Sequence, residues 1–278
     1  MSATSAFAQS SAYALTTTSS GAQQLVRFNP SAPGAVTTVG TTGVTLTGID
    51  FRPATNQLYG YDGDKLYIVD VNTGSASLAF DVGNVAGDPG FDFNPTVDRI
   101  RLVGSNGTNF RLNPLDGTTT IDGAYTFTVG DVNFGRVPSF TAVAYTNSDT
   151  DPTTGTALYA IDPTLGQLVR ITSPNGGAIN TVGSLGLGNF IAISGFDILT
   201  VGGTRRLRTE HSGSELQQPR SPLCAPRPDA LGEKEAERMS RLASRRASSC
   251  PKCSPGLSTV KSRISAWAYV ASQGTGGM

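Results

Sequence analysis

The feature that most constrains this chain is an internal repeat. From Gly48 it reads GIDFRPATNQLYGYDGDKLYIVDVNTG, and from Gly90 GFDFNPTVDRIRLVGSNGTNFRLNPLDG. Both stretches open with Gly, an apolar residue, Asp, Phe, any residue and Pro. Both continue with two apolar β-type runs and an outer turn. A third relative starts at Ala142, with Tyr145 at the Phe position and a lengthened first loop, and a fourth starts at Gly195 as GFDILTVGG. A partial copy from about Ala12 has the later strands of a unit but no first strand. A fixed period of this size is the mark of a repeat architecture.

Each unit reads as β structure throughout. Asp62-Gly63 and Asn106-Gly107 sit between alternating apolar runs, as tight hairpin turns requiring positive φ do. Outer turns recur at Asn29-Pro30, Asn72-Thr73-Gly74, Asn113-Pro114 and Asp162-Pro163. No amphipathic helix precedes residue 204. About four short strands per unit predict an all-β fold, a β-propeller of about five blades. A β-sandwich would not require the recurring Gly-x-Asp-Phe start. The first unit lacks its innermost strand, and a strand from the other end of the chain is expected to supply it, which removes an open edge.

Composition divides the chain at about Gly203. Residues 1–203 hold all 12 Phe, 15 Asp, one Lys and seven Arg, but no Glu, Cys or His, a net charge of −7. Residues 204–278 hold every Glu and Cys, His211, Trp267 and 13 basic residues, a net charge of +7. The formal charge of zero therefore describes no surface. The expected organisation is a flexible terminus over 1–11, an incomplete propeller over 12–203 and an irregular or partly helical tail over 204–278. The last blade and its closing strand are expected to be incomplete. The abrupt change of vocabulary suggests a shifted reading frame after Gly203, with a natural fused tail as the alternative. A short basic helix is a further reading of 232–247. No run of 18 apolar residues predicts a membrane span. SAFAQS near the N-terminus resembles the end of a secretion signal, against the alternative of an ordinary terminus.

The stretches YALTTTSSGAQQLVRFNPSAPGAVTTVG, LTGIDFRPATNQLYGYDGDKLYIVDVNTGSASL, GFDFNPTVDRIRLVGSNGTNFRLNPLDG, AVAYTNS and TALYAIDPTLGQLVRI resemble the domain-of-unknown-function family numbered 4394, over about Tyr13 to Leu199. The resemblance implies a propeller-like bacterial domain, exported to the periplasm or the extracellular space. It brings no reaction and no catalytic residues. After GFDILTVGG the chain departs from the pattern.

The missing His, Cys and Glu remove imidazole bases, thiol nucleophiles and zinc sites from residues 1–203. The repeated Asp50, Asp92 and Asp197 are the candidate ligand or metal residues. Gathered at the channel, their oxygens would suit calcium, as in a calcium-dependent lactonase- or esterase-like hydrolase. The alternative is that each carboxylate bonds backbone within its own blade, and Ala144 interrupts the series. NSDTDPTTG spaces Asn147, Asp149 and Asp151 like the start of a calcium loop, but lacks the Gly and distal Glu of an EF-hand. Arg99 and Arg101 alternate onto one face, with Arg111 on the next strand, as an anion patch or as a solvated face paired with Asp. Cys250 and Cys253 have thiol-pair spacing without a second pair, and Cys224 and His211 are poorly spaced partners. The function expected is a non-enzymatic binding or interaction module for an extracellular protein or glycan. No cofactor other than calcium and no specific nucleic acid is implied. A truncated or frameshifted, non-functional product is the remaining alternative.

Overall fold

Alternating apolar residues and Gly- or Asx-bearing turns make this chain a succession of short antiparallel strands. The computed structural model describes residues 11–83, 90–105, 107–149, 153–186 and 195–198, together with the strand backbone of the rest of 193–201 and of 204–211 and 263–270. The described residues contain strands and no helix.

The first sheet holds β1 (Ser11–Thr17), β2 (Gln23–Asn29) and β3 (Ala32–Thr41). The second runs β4 (Gly48–Arg52), β5 (Gln57–Tyr61), β6 (Lys65–Val69) and β7 (Ala76–Asp81). The third runs β8 (Gly90–Asn94), β9 (Arg99–Val103), β10 (Asn109–Leu112) and β11 (Thr119–Ile121). In the fourth, β13 (Ala142–Tyr145), β14 (Leu158–Asp162), β15 (Gln167–Ser173) and β16 (Ala178–Ser184) are joined by a short β12 (Thr126–Phe127). That strand lies parallel to β16 and covers its outer edge. A two-stranded sheet pairs β17 (Ile193–Val201) with β18 (Thr204–His211).

The last strand, β19 (Arg263–Val270), pairs antiparallel with β1 and completes the first sheet in the order β19-β1-β2-β3. The inner strands β19, β4, β8, β13 and β17 neighbour one another in that order, and β17 returns to β19. The fold is a β-propeller with four blades of four or five strands, and a two-stranded sheet stands at the fifth position of the ring.

The blade count differs slightly from the expectation: four blades have a full set of strands among the described residues, and the fifth position holds two strands. Where the chain after Gly203 is described, it supplies β18 and the innermost strand of the first blade. A terminal strand satisfies the backbone donors and acceptors that β1 would otherwise expose. The candidate helix at 232–247 lies outside the described residues.

The core lies between blades, because the inner strands of each sheet are buried on both faces while the outer strands are largely exposed. Tyr13, Leu15 and Leu25 of the first blade pack on Ile49, Phe51, Leu58, Tyr67 and Val69 of the second. Tyr59, Tyr61 and Leu66 meet Phe91, Phe93, Ile100 and Leu102 of the third. The ring pairs Tyr13–Phe51 and Tyr59–Phe93 are edge-to-face at 5.5 and 5.3 Å, a favoured aromatic geometry. Asp62 caps its hairpin by accepting the Asp64 and Lys65 N–H groups at 3.1 and 2.8 Å, and Gly63 provides φ of 119°.

The glycine that opens each unit has a packing reason. A Cβ at Gly48 would lie 2.6 Å from the Phe91 Cβ, and one at Gly90 would lie 2.8 Å from the Val143 nitrogen. Each glycine lets the next blade's inner strand approach closely. Gly90→Ala is therefore expected to cost about 1–3 kcal/mol by overpacking against backbone. Gly34→Ala, with open space around it, should change stability by less than about 0.5 kcal/mol. Chemical denaturation of both variants checks the pair.

Candidate functional site

The inner strands place the repeated aspartates. Along GIDFR all five residues are buried, so the Asp50 carboxylate needs internal donors. Asp50 Oδ1 accepts the N–H of Phe51 at 2.7 Å, and Oδ2 accepts the N–H of Phe93, in the next blade, at 2.8 Å. Asp92 repeats the second bond one blade on, where its Oδ2 accepts the Tyr145 N–H at 2.7 Å. Each carboxylate thus staples its blade to the residue one past the equivalent position of the next blade. The expectation that these aspartates bond within their own blade holds for Asp50 Oδ1 and for Asp197, whose Oδ1 accepts the Ile198 N–H at 2.6 Å. It misses the bonds across blades.

At the next junction the series changes. Ala142 and Ala144 replace Gly and Asp, and an apolar contact of Ala142, Ala144, Ile161 and Leu168 with Phe196 and Ile198 takes over.

Asp50, Asp92 and Asp197 are near enough to act on one another. Burial first, then the Asp197 charge, pushes the Asp50 carboxyl well above the usual aspartate range. Burial, then the charges of Asp50 and Asp197, does the same to Asp92. Among the described residues, no group of three or more His, Cys, Asp or Glu side chains is arranged to hold a metal ion. Part of the NSDTDPTTG loop lies outside the described residues. Within the rest, Asn147 Nδ2 donates to the carbonyls of Thr154 and Gly155 at 3.3 and 2.8 Å and closes the loop on itself.

The three arginines separate. Arg99 donates Nη1 to the Val97 and Asp98 carbonyls at 3.4 and 2.8 Å. Arg101 and Arg111 converge on Asp122. Arg101 Nη1 lies 2.6 Å from Asp122 Oδ2, and Arg111 Nε lies 2.6 Å from the same oxygen. Arg111 Nη2 reaches Asp122 Oδ1 at 2.9 Å. The anion that these cations bind is the protein's own.

The solvated-face reading of Arg101 is corrected, because its side chain is only 2% exposed. It donates to Asn109 Oδ1 at 2.7 Å within its blade. It reaches Asn175 Oδ1 at 2.8 Å and the Tyr145 hydroxyl at 3.4 Å in the next. Alternation does place Arg99 and Arg101 on one face, but β9 is buried on both faces. A second ion pair, Arg52 with Asp98, links the second and third blades and was not anticipated.

A family model described as "Domain of unknown function (DUF4394)" matches residues 24–218. The chain belongs to this family. The DUF4394 match extends past Gly203 and takes in β18. No curated protein matches the chain. It is similar to a solved protein of unknown function from Bacteroides thetaiotaomicron, at 15% identity and TM-score 0.43, covering 59% of this chain and 42% of that one. It is similar to an auxiliary nutrient binding protein from the same organism, at 13% identity and TM-score 0.40, covering 66% and 53%. It is also similar to a chain of a nidogen/laminin complex, at 14% identity and TM-score 0.39, covering 67% and 65%. The DUF4394 chain spans about half the length of the first two.

One surface feature escaped the sequence reading. Between β12 and β13 of the DUF4394 domain, Val129, Val132, Phe134 and Val137 are exposed. These residues interrupt a Gly-, Asp- and Asn-bearing stretch, TVGDVNFGRVP, that carries no strand or helix period. The available signal was an excess of apolar residues in a segment with loop chemistry.

Two outcomes follow. Asp50 and Asp92 hold protons in the fold at pH values where the unfolded chain has released them. Their stabilising contribution is complete below the ordinary aspartate pKa of 3.8 and is lost as pH rises through the raised values. The N–H groups of Asn72 and Thr118 hold Asp70 and Asp116 below their ordinary value, so their contribution fades only at more acidic pH. Melting temperature should therefore rise as pH is lowered from 8 toward 5. Asp50→Asn, which stays neutral, should flatten that slope in a pH series of thermal melts. Separately, Asp122→Ala strands the buried Arg101 and should cost about 3–5 kcal/mol. Arg111→Ala, one-third exposed, should cost under about 1 kcal/mol in the same denaturant titration.

Proposed function

We propose that this DUF4394 domain is an exported binding or interaction module whose ring is a scaffold and whose partner is an extracellular protein or glycan. The observation that carries the reading is the use of its ionisable groups. The inner aspartates accept backbone N–H groups of their own or the next blade. The buried guanidinium of Arg101 is held by Asp122, Asn109 and Asn175. Groups so engaged hold blades in register, whereas a catalytic carboxylate needs an oxygen facing substrate or metal. A rigid ring with loop-borne recognition is the economical use of such a frame. SAFAQS near the N-terminus supports export.

A calcium-dependent hydrolase is the competing use of the same aspartates. The full chain is expected to show no saturable calcium binding by calorimetry and no turnover of p-nitrophenyl esters or lactones above background. It should instead retain an envelope or extracellular protein or glycan saturably on a sensor surface. Calcium-dependent turnover abolished by Asp92→Asn would overturn the reading.

A further inference from the structure

The loop 128–138 has its polarity reversed. Surface loops ordinarily turn polar side chains to water and apolar ones inward. Here Asp131 and Asn133 face the protein. Asp131 Oδ2 accepts the Thr181 N–H at 2.6 Å, and its Oδ1 accepts the Thr181 hydroxyl and the Asn133 N–H, both at 2.8 Å. Asn133 is buried and donates Nδ2 to Gln167 Oε1 at 2.6 Å and to Thr181 Oγ1 at 2.9 Å. The apolar residues face out: Val129 is 86% exposed, Val132 83%, Val137 76% and Phe134 59%.

The backbone of the loop is fixed as well. Thr128 N–H donates to the Ile179 carbonyl at 3.1 Å, which anchors the loop on the outer edge of the fourth blade. Three successive turns follow: Asp131 N–H to Thr128 O, Phe134 N–H to Asp131 O and Arg136 N–H to Asn133 O, at 3.0, 3.0 and 2.9 Å. The loop is therefore a pre-ordered apolar knob, and association forfeits little conformational entropy. The N–H groups of Asp131, Asn133, Phe134 and Arg136 are spent on its own turns, so it suits insertion into a cavity rather than strand addition.

We infer that this knob inserts into an apolar groove of another protein, with Arg136 meeting an acidic group at the rim. The inference rests on the reading of the domain as an interaction module and names the class of partner. Arg136 is the exposed charge of the loop, since Asp131 is committed to Thr181. Sugar recognition is poorly served, because Phe134 is the one aromatic ring on the knob and pairs with no other ring among the described residues. An anionic bilayer is poorly served, because Arg136 is the one basic residue of the loop. A second copy is poorly suited as the partner: its other exposed large apolar side chains among the described residues, Val36, Leu78, Val97, Leu115 and Ile121, stand on three other blades.

The test uses the full chain carrying a benzophenone amino acid in place of Val132, irradiated with envelope and extracellular proteins. The cross-linked protein is then purified and titrated against the wild type, Val132→Asp/Phe134→Ser, Arg136→Glu and, as a control, Leu78→Asp. The double variant is expected to weaken binding at least tenfold, as loss of a central apolar anchor does. Arg136→Glu should weaken it several-fold, Leu78→Asp should not, and all variants should melt with the wild type. Equal affinity of the double variant and the wild type overturns the inference while leaving an interaction module in place. Capture of nothing through the knob overturns it too, and if the immobilised wild type also retains no partner by any face, the broader reading falls with it. Loop-dependent binding to phosphatidylglycerol vesicles, or loop-dependent dimerisation in sedimentation equilibrium, assigns the knob elsewhere and also overturns it.

Discussion

The bond from an inner-strand aspartate to the backbone of the next blade is the interaction on which this ring most depends. A propeller has no single core: each sheet must be held at a set angle and height against its neighbour. Apolar packing is non-directional and tolerates sliding. The bonds from Asp50 to Phe93 and from Asp92 to Tyr145 do not, because each requires one carboxylate to meet one N–H. Gly48 and Gly90 make the approach possible by leaving out a side chain where the next strand passes. Glycine, aspartate and aromatic thus act as one unit: close approach, register and burial.

This arrangement carries electrostatic strain. Buried carboxylates without a cation raise one another's proton affinity, and the fold keeps Asp50 and Asp92 protonated well into the range where a free aspartate is charged. Between the third and fourth blades an ion-pair network is added to the Asp92 bond. Arg101 supplies positive charge, Asp122 neutralises it, and Asn109 and Asn175 take up remaining donors. At the apolar junction beyond, Ala142 and Ala144 dispense with polar ties. Two junctions share the aspartate bond and a third replaces it by apolar contact, so the repeat is a repeat of backbone more than of side-chain function. Such a scaffold leaves recognition to its outer loops, and the loop on the rim of the fourth blade has the composition and rigidity for it.

Much of the fold was legible in the residues. Asp62-Gly63 announced its hairpin, the alternation in QLYGY and KLYIV announced strands, and the absent first strand of the first unit announced a closure from the far end of the chain. The tail was less legible. Arg263–Val270 carries no Gly-x-Asp-Phe start, so nothing local marked RISAWAYV as the inner strand of the first blade. The aspartates were found because they repeat. Their partners were not, because the donor to Asp50 is an N–H more than forty residues away and every backbone offers one.

The sequence by itself determined the all-β character, the period and the turns, since these follow from side-chain alternation and from residues that accept positive φ. Only the tertiary structure decided that Arg101 is buried, that its anion is Asp122, and that four apolar side chains of one loop face outward. Alternation shows which residues share a face of a strand. Whether that face meets water or the next blade depends on how the ring closes.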